Sequence, residues 1–394
     1  MAGWVHMIIA PNRHTTEGVV IPLRDGDVAH LVRAIALAQH AAWRTSPNPT
    51  VGCVIVRAGT VVGEGVTRPP GGAHAEIVAL ERAGDRAHGA NAYVTLAPCG
   101  HHGRTPPCVD ALIAAGIDRV VIGIDDPHTV ATGGVERLKR AGVTVTLLDG
   151  THPVAAAISG QLADFLTVVT QERPHVTLKV AQTLGGSMQS SSGRWITSSK
   201  ARRAVHRLRS QVDAVLVGAG TVLADDPQLT VRDLDNHTKG QPRAVVVDRR
   251  LRTPPSAAVA RPNTLVLTAT GHSHDQLASL RATGVTIVEL PTAAHSGPLT
   301  RTTDANPTIR DAIATLVEFG ISSVLAEPGP TLAQAMLDGG VVDRMVVHVA
   351  DDATETYRCA LDSQRLSTTL TRLGGIGPDV IIDHQIHHHY DNRE

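Results

Sequence analysis

The segment PCGHHGRTPPC, residues 98–108, lies between a predicted strand (93–96) and a predicted helix (106–115), and HAE, residues 74–76, begins another predicted helix (74–83). An imidazole and two thiolates are ligands that zinc prefers, and a catalytic zinc site has three protein ligands and one open position. His74, Cys99 and Cys108 supply such a set. Glu76, in the same helical turn as His74, is a carboxylate that can move a proton without binding the metal. The spacing therefore predicts a zinc centre with Glu76 as its acid–base residue.

The order His-x-Glu followed by Pro-Cys is the pattern of zinc deaminases that act on nucleobases. Those sequences usually continue as Pro-Cys-x-x-Cys, whereas eight residues separate the two cysteines here. The alternative interpretation is a pair of core cysteines with an unrelated helical histidine. We assign Cys53 to an apolar core strand, His101 and His102 to the loop, and residues 387–389 to a solvated tail, so none of them is a predicted ligand.

Composition bounds the remaining possibilities. The chain has 394 residues, about twice the usual domain length, and a formal charge of −1 with only 2% aromatic residues. Balanced charge and scarce aromatic side chains disfavour a nucleic-acid deaminase. The four cysteines are too few for a disulfide scaffold, and no apolar run is long enough to span a membrane. We therefore expect a two-domain protein of the reducing cytosol.

Alternating helix and strand patterns predict an α/β protein with mostly parallel sheets. We expect an N-terminal extension (1–28), a first domain (29–172), a second domain (173–386) and a tail (387–394). In the first domain we predict helices at 29–42 and 135–141 besides those above, and strands at 51–56, 60–66, 120–124 and 143–148. From the end of the first domain onward we predict helices at 153–166, 198–211 (with Thr197 as N-cap), 308–319 and 331–337, strands at 175–180, 214–217, 244–247, 264–268, 285–290, 322–326, 344–349 and 379–382, and loops at 291–307 and 351–367.

The 98–108 segment also resembles the signature of the bifunctional deaminase–reductases of riboflavin biosynthesis. That resemblance implies a cytidine-deaminase-like three-layer domain, with zinc hydrolytic deamination of a diaminopyrimidinone ribosylamine 5′-phosphate. It implies substrate contacts by Asn48, in the run Asn-Pro-Thr-Val-Gly, by Arg104 in the loop, and by Asp126 at a strand end. A turn asparagine, a surface arginine and a capping aspartate are the structural alternatives for these three residues.

The second half resembles the reductase domain of the same family, which is similar to dihydrofolate reductase. Three segments carry this resemblance: WITS with the basic helix after it (195–209), GTVLADDPQLTVR (220–232) and EPGPTL (327–332). It implies NADPH reduction of the ribosyl group to a ribityl chain. The implied cofactor contacts are Trp195, Thr221, Asp225, Gly329 and Thr331. The implied substrate contacts are Lys179, Arg209, Leu229, Arg232 and Glu327, with both arginines suited to a phosphate.

Several positions depart from the family pattern: Thr67, Gly72 and Ala97 near the zinc motif, and Gly185, Pro328 and residues 351–354 in the second half. They leave two alternatives open. One is a related deaminase that acts on a different pyrimidine or purine and has a weak or inactive reductase domain. The other is a non-catalytic nucleotide-binding module. The resemblance also implies self-association through the reductase domain.

Overall fold

The computed structural model describes residues 23–41, 44–100, 107–128, 133–188, 196–232, 234, 240–290, 308–350, 367–376 and 379–387. The chain divides into two compact units, residues 1–171 and 172–394. The predicted loop at 291–307, the replacement at 351–354 and most of the predicted extension and tail lie outside the described residues.

The first unit contains one five-stranded sheet and six α-helices in its described part. Its elements are α1 (Asp27–Ala41), β1 (Gly52–Arg57), β2 (Thr60–Val66), α2 (Ala75–Ala83), a 3-10 turn (Gly84–Ala87), β3 (Asn91–Leu96), α3 (Cys108–Ala114), β4 (Arg119–Ile124), α4 (Gly134–Arg140), β5 (Thr144–Leu147), α5 (Pro153–Gln161) and α6 (Ala163–Gln171). The strand order is β2-β1-β3-β4-β5. The single predicted helix at 153–166 is wrong, because two helices meet at Leu162.

Helices cover both faces of this sheet. A Cβ at Gly52 would lie 2.0 Å from the Ala34 carbonyl oxygen of α1, and one at Gly65 would lie 2.0 Å from the Ala75 carbonyl oxygen of α2. Because Gly65 is paired with Cys53, the neighbour of Gly52, the two glycines face opposite sides of the sheet. The first unit is therefore a three-layer α/β/α structure, as the sequence predicted.

Four of the five described strands of this sheet run in the same direction, so the expectation of a mostly parallel sheet is confirmed, and β1 is the reversed strand. Strand β1 is antiparallel to both β2 and β3, whereas β3, β4 and β5 run parallel to one another. The cause is local, because Ala58 and Gly59 both have positive φ angles, of 47° and 76°. A tight turn of this kind joins strands as a hairpin.

The second unit contains a nine-stranded sheet of order β10-β9-β8-β7-β11-β6-β12-β14-β13. Its elements are β6 (His175–Thr183), α7 (Ser199–Arg209), β7 (Ala214–Gly218), α8 (Ala219–Asp225), β8 (Arg243–Val247), β9 (Thr264–Ala269), α9 (His274–Arg281), β10 (Thr286–Leu290), α10 (Ile309–Ala314), a 3-10 turn (Thr315–Phe319), β11 (Ser323–Ala326), α11 (Pro330–Asp338), β12 (Arg344–Ala350), β13 (Ser367–Ile376) and β14 (Asp379–His387). Neighbouring strands pair in parallel from β10 to β12, whereas β14 pairs antiparallel with both β12 and β13.

Several details of this unit differ from the sequence prediction. Helices α8 and α9 and strand β13 were not predicted, and β14 extends to His387, which was assigned to the tail. Thr197 is not the N-cap of α7. The hydroxyl of Ser198 accepts the bond from the Ala201 amide instead, while the Ser198 amide is held by Asp379. Among the described helices, no single one is long and apolar enough to cross a membrane. The pair α5 and α6 meets that criterion only jointly and is bent by 79°.

One buried ion pair ties α1 to the sheet of the first unit. Arg119 on β4 donates two hydrogen bonds to Asp27, of 3.0 and 2.8 Å, and both side chains are only 2% exposed. Burial by itself would raise the pKa of Asp27, but the hydrogen bonds from Arg119, the Arg24 amide and Tyr93 lower it below its ordinary value of 3.8 overall. Helix α1, which begins at Asp27, is thus anchored from its first residue.

We predict that Asp27→Asn destabilises the first unit by about 3–5 kcal/mol at pH 7, because it leaves the Arg119 charge buried and unpaired. Urea unfolding of the full chain, with hydrogen exchange to locate the change within residues 23–171, measures the effect. The pKa of Asp27 is depressed in the folded state, so its stabilisation is present above about pH 4 and is lost as the pH falls further. The difference between wild type and variant should therefore shrink below about pH 4. Asp25→Asn, at an exposed neighbour, is the control and should change stability by less than about 0.5 kcal/mol.

Candidate active sites

Three segments of the first unit bring His74, Cys99 and Cys108 together. His74 is the N-cap of α2, Cys108 is the first residue of α3, and Cys99 follows the carboxyl end of β3. The Nδ1 atom of His74 lies 3.2 Å from the Cys108 sulfur and 3.6 Å from the Cys99 sulfur. All three ligand atoms lie within 4.8 Å of one another.

These separations fit a tetrahedral zinc ion. Zinc bonds of about 2.0–2.1 Å to nitrogen and about 2.3 Å to sulfur place neighbouring tetrahedral ligand atoms about 3.5–3.8 Å apart. The contacts around His74 Nδ1 are close to that range. The donor set of one imidazole and two thiolates is suited to zinc and leaves a fourth position for water or substrate. The described residues therefore fit the predicted metal.

The thiols already differ in acidity. A hydrogen bond from Cys108 is the largest influence on Cys99 and, with the nearby His74, lowers the pKa of Cys99 despite burial. The same hydrogen bond and burial raise the pKa of Cys108. The hydrogen bond with Cys99 in turn raises the pKa of His74. Cys99 is the thiol that ionises first.

Glu76 lies in the first turn of α2 and is only 4% exposed. Burial, followed by the negative charge of Cys99, raises its pKa to about 7. A buried carboxyl group next to the ligand cluster, with both protonation states accessible near neutral pH, has the properties of a general acid–base group. The structure places Glu76 where the sequence predicted it.

The other predicted residues of the deaminase half are placed as follows. Asn48 is half-buried in the turn before β1, and its backbone N–H donates to the Thr45 carbonyl oxygen. Asp126 follows β4. Burial raises its pKa, and Cys99 contributes to the increase, so Asp126 is electrostatically close to the cluster. Arg104 lies outside the described residues.

The departures near this site have local structural reasons. The Thr67 hydroxyl is buried and accepts a hydrogen bond of 3.0 Å from the Val51 amide. A side chain at Gly72 would place its Cβ 2.6 Å from that of Arg68. Ala97 belongs to the hydrophobic core. These three substitutions leave the ligand cluster intact.

The second unit has a cavity of about 1000 Å³ at the carboxyl ends of its parallel strands. Four of the predicted cofactor contacts line it, namely Thr221 and Asp225 on α8 and Gly329 and Thr331 at the start of α11. A Cβ at Gly218 would lie 3.1 Å from Leu332, so the end of β7 and helix α11 are close-packed at the cavity. The fifth predicted contact, Trp195, lies outside the described residues. Because the amide groups of a helix N-terminus attract phosphate, α11 is suited to a dinucleotide pyrophosphate.

Two of the predicted substrate residues form an ion pair beside this region. Arg209 at the end of α7 donates bonds of 2.7 and 2.9 Å to the carboxylate of Glu327, and a third of 3.0 Å to the Thr230 carbonyl. Burial would raise the pKa of Glu327, but Arg209 and, to a lesser degree, Lys179 lower it overall. Burial also lowers the pKa of Lys179. The three predicted residues therefore form one charged group.

The remaining two predicted substrate residues lie nearby. Leu229 has a positive φ of 53° and its side chain is buried in a hydrophobic cluster of this unit. Arg232 is exposed, its amide donates to His206, and its guanidinium donates to Gln228. Since Arg209 donates to the carbonyl oxygen of Thr230, two residues before Arg232, and the Arg232 amide donates to His206, three residues before Arg209, the segments that carry the two arginines lie side by side.

Sequence reasoning missed three features. Three exposed arginines, Arg249, Arg250 and Arg252, line the cavity after β8. His348 is buried on β12, and neither of its ring nitrogens has a hydrogen-bond partner among the described residues. Arg137 donates hydrogen bonds to Gly100, next to Cys99, and to Asp110, two residues after Cys108. A run of arginines after a β-branched strand was a visible signal, whereas the other two features depend on tertiary contacts.

Comparisons with known proteins agree with this arrangement. Residues 25–124 match the cytidine and deoxycytidylate deaminase zinc-binding region, and residues 174–351 match the RibD C-terminal domain. The chain is 40% identical over 342 residues to the riboflavin biosynthesis protein RibD of Escherichia coli, covering 82% of this chain and 87% of the relative.

Solved structures show the same similarity. RibD of Acinetobacter baumannii has a TM-score of 0.76 at 34% identity, covering 92% of this chain and 99% of that one. A diaminohydroxyphosphoribosylaminopyrimidine deaminase/5-amino-6-(5-phosphoribosylamino)uracil reductase from Thermotoga maritima has a TM-score of 0.75 at 30% identity, with the same coverage.

The fold and the two sites define a protein that joins a zinc-dependent deaminase domain to a reductase domain. The chain belongs to the RibD family of riboflavin biosynthesis proteins. The predicted family, fold class and cofactors, zinc and NADPH, are thereby confirmed.

Proposed function

We propose that this chain carries out two successive steps of riboflavin biosynthesis on a phosphorylated pyrimidine. The first step deaminates 2,5-diamino-6-ribosylamino-4(3H)-pyrimidinone 5′-phosphate, and the second reduces its ribosyl group to a ribityl chain. The observation that carries the proposal is the His74–Cys99–Cys108 cluster with buried Glu76 beside it, in a chain that also contains the RibD reductase domain.

Deamination replaces the ring amino group by a carbonyl oxygen and releases ammonia. His74, Cys99 and Cys108 would hold the zinc, and the metal would supply the Lewis acidity that makes water nucleophilic at neutral pH. Glu76 takes a proton from the attacking water and delivers it to the departing nitrogen. Asp126, after β4, and Asn48, in the turn before β1, would orient the pyrimidine ring, as the family resemblance implies. Glu76 therefore does the proton transfer, and the other residues hold the reacting groups in place.

Reduction opens the ribosyl ring and adds hydrogen at its C1′ carbon. NADPH supplies the hydride when it is bound, and the protein contributes alignment. Thr221, Asp225, Gly329 and Thr331, which line the cavity, would hold the cofactor there. Lys179, Glu327 and Arg209 form the charged group that would face the substrate. Arg232, and the N–H groups of Arg209 that do not bond to Glu327 or Thr230, would bind the 5′-phosphate.

The run Arg249–Arg252 supports the choice of NADPH over NADH. In the sheet, β7 lies next to β11 and β8 lies next to β7. The cavity extends to the end of β8, where these arginines lie. If the N-terminus of α11 holds the pyrophosphate, the cavity lining at β8 would be available to the adenosine end of the cofactor. An arginine at that end of a dinucleotide accommodates the 2′-phosphate.

We predict that the double variant Arg249→Gln with Arg250→Gln raises the Kd for NADPH by about tenfold or more and leaves that for NADH almost unchanged. Each lost charged hydrogen bond costs about 1.5–3 kcal/mol, and less at exposed sites. Titration calorimetry with each nucleotide measures the effect. Arg281→Gln, at an exposed residue paired with Glu289, is the control. Equal weakening toward both nucleotides would exclude a role in 2′-phosphate recognition.

A substrate panel tests the proposed first step. Zinc-loaded protein is given the diaminopyrimidinone ribosylamine phosphate, cytidine, deoxycytidylate and guanine, and ammonia is measured. We expect release from the ribosylamine phosphate alone. Release only from another base would support the related deaminase with a different substrate, and no release from any base would support the nucleotide-binding module.

The proposed chemistry also indicates the binding partners and the cellular compartment of the protein. The substrate is a small molecule, and the balanced charge gives no basis for nucleic-acid binding. Reactive thiols at the metal site are maintained in a reducing cytosol, where we place the protein. We also propose that it self-associates through the reductase unit.

A further inference from the structure

The two cysteine ligands are unusually far apart in sequence. Eight residues separate Cys99 from Cys108, whereas Pro-Cys-x-x-Cys holds both thiols within one turn of chain. Closing a longer loop costs more conformational entropy. Cys99 follows β3 and Cys108 begins α3. Two long hydrogen bonds, of 3.4 Å each, join the segments directly, from the Cys108 amide to the Cys99 sulfur and from the Val109 amide to the Cys99 carbonyl oxygen. A shorter contact from a third element would hold the two segments more firmly.

Arg137 on α4 makes such a contact. One of its terminal nitrogens, Nη1, donates a 2.6 Å hydrogen bond to the carbonyl oxygen of Gly100, one residue after Cys99. The other, Nη2, donates to the carboxylate of Asp110, two residues after Cys108. The planar guanidinium therefore bridges both ends of the loop, in the fork geometry that lysine lacks.

The backbone beneath Arg137 is also fixed. A Cβ at Gly134, in the first turn of α4, would lie 2.4 Å from the Pro98 carbonyl oxygen, and one at Gly100 would lie 2.8 Å from the Gly134 nitrogen. The start of α4 is thus packed directly on the Pro98–Gly100 backbone. Arg137 extends from a helix already seated against the segment that carries Cys99.

We propose that Arg137 is a positioning residue of the metal centre, which holds the Cys99 and Cys108 segments at the separation that zinc requires. This inference rests on the proposed deaminase function. Mutation of a residue that orients metal ligands without binding the metal typically lowers metal affinity by about 10- to 100-fold. The side-chain hydrogen bonds of Arg137 reach Gly100 and Asp110, one and two residues from the ligands, so it acts through these segments.

An ordinary surface ion pair is the competing explanation. The side chains of Arg137 and Asp110 are 33% and 42% exposed, and pairs at such sites contribute little to stability. The two explanations differ in what they predict. A positioning residue changes zinc affinity while the zinc-free fold stays nearly as stable, whereas a surface pair changes neither.

The experiment uses the full chain with Arg137→Gln, Arg137→Lys and Asp110→Asn, and Arg140→Gln as the matched control. Arg140 is an exposed arginine of the same helix, whose Nε donates only to the Glu136 carbonyl within α4. Zinc affinity is measured by competition with a chromophoric chelator. Thiolate coordination is followed by the charge-transfer absorption of the Co²⁺-loaded protein, and stability by thermal unfolding of the zinc-free protein.

We expect Arg137→Gln to weaken zinc binding by about 10- to 100-fold and to lower the Co²⁺–thiolate absorption. Arg137→Lys and Asp110→Asn should give smaller losses, since each keeps part of the bridge. Arg140→Gln should match wild type, and every zinc-free melting temperature should stay near the wild-type value. Wild-type zinc affinity in Arg137→Gln, or a loss of zinc-free stability that accounts for the weaker binding, would overturn the inference. Absence of zinc binding by the wild-type chain would instead refute the proposed deaminase.

Discussion

Glu76→Gln is expected to lower the rate of ammonia release by about 10²- to 10⁴-fold while zinc stays bound, which is the range that a positioned general acid–base contributes. The amide has nearly the shape of the carboxyl group but cannot accept and return a proton. Glu76 is buried beside the ligand cluster without belonging to it, so its replacement leaves His74, Cys99 and Cys108 in place. Ammonia assays, with zinc content measured in parallel, test this expectation.

The matched control is Glu81→Gln, on the same helix. Glu81 is exposed and pairs loosely with Arg68, so we expect wild-type ammonia release and zinc content from this variant. NADPH oxidation should persist in Glu76→Gln when the already deaminated intermediate is supplied. Ammonia release at the wild-type rate from Glu76→Gln would show that another group moves the proton.

Glu327→Gln is expected to have the second large effect, on the reductase half. We expect NADPH oxidation to fall by about 10- to 100-fold, because a hydrogen bond to a charged group contributes about 1.5–3 kcal/mol. Glutamine at position 327 carries no negative charge, so Arg209 and Lys179 lose the carboxylate that neutralises them in a buried region. Ammonia release, which depends on the first unit, should be unchanged. Stopped assays of ammonia release and NADPH oxidation on the same preparation show whether only the reductase activity is lost.

Glu289→Gln is the control in the same unit, since it breaks an exposed pair with Arg281 far along the sheet on β10. This variant should keep both activities. If Glu327→Gln retained full NADPH oxidation, the Arg209–Glu327 pair would have only a structural role. If it also lost ammonia release, the two activities would not be separable as proposed.

The zinc motif was predictable from the sequence because its information is local. His74 and Glu76 lie in one helical turn, and both cysteines adjoin a strand or a helix start that the pattern of apolar residues reveals. The glycine and proline turn before α11 was predictable for the same reason. Short-range spacing of this kind restricts where side chains can point, so these predicted residues are found around the cluster and the cavity.

Long-range pairs were not predictable in this way. Asp27 and Arg119 are 92 residues apart, and Arg209 and Glu327 are 118 apart. The family resemblance implied a phosphate contact for Arg209, whereas in the structure three of its N–H groups donate to Glu327 and Thr230. The Arg137 bridge was missed because Gly100 and Asp110 meet it only when α4 packs on the Pro98–Gly100 backbone.

Helix and strand errors had a similar origin. The segment Ala219–Asp225 contains a glycine and directly follows a strand end, so no helix was predicted there, although the segment is helical. Strand β13 is rich in threonine and glycine, with little apolar periodicity, and its partner β14 supplies the pairing. In both cases packing with distant residues outweighed a weak local preference.

We propose that one chain performs deamination and then reduction. The most direct test gives zinc-loaded protein and NADPH the diaminopyrimidinone ribosylamine 5′-phosphate and follows ammonia release and NADPH oxidation in the same sample. We predict that ammonia appears first and that NADPH is consumed in equal amount afterwards. Zinc-bound protein that yields neither product from this substrate would contradict the account.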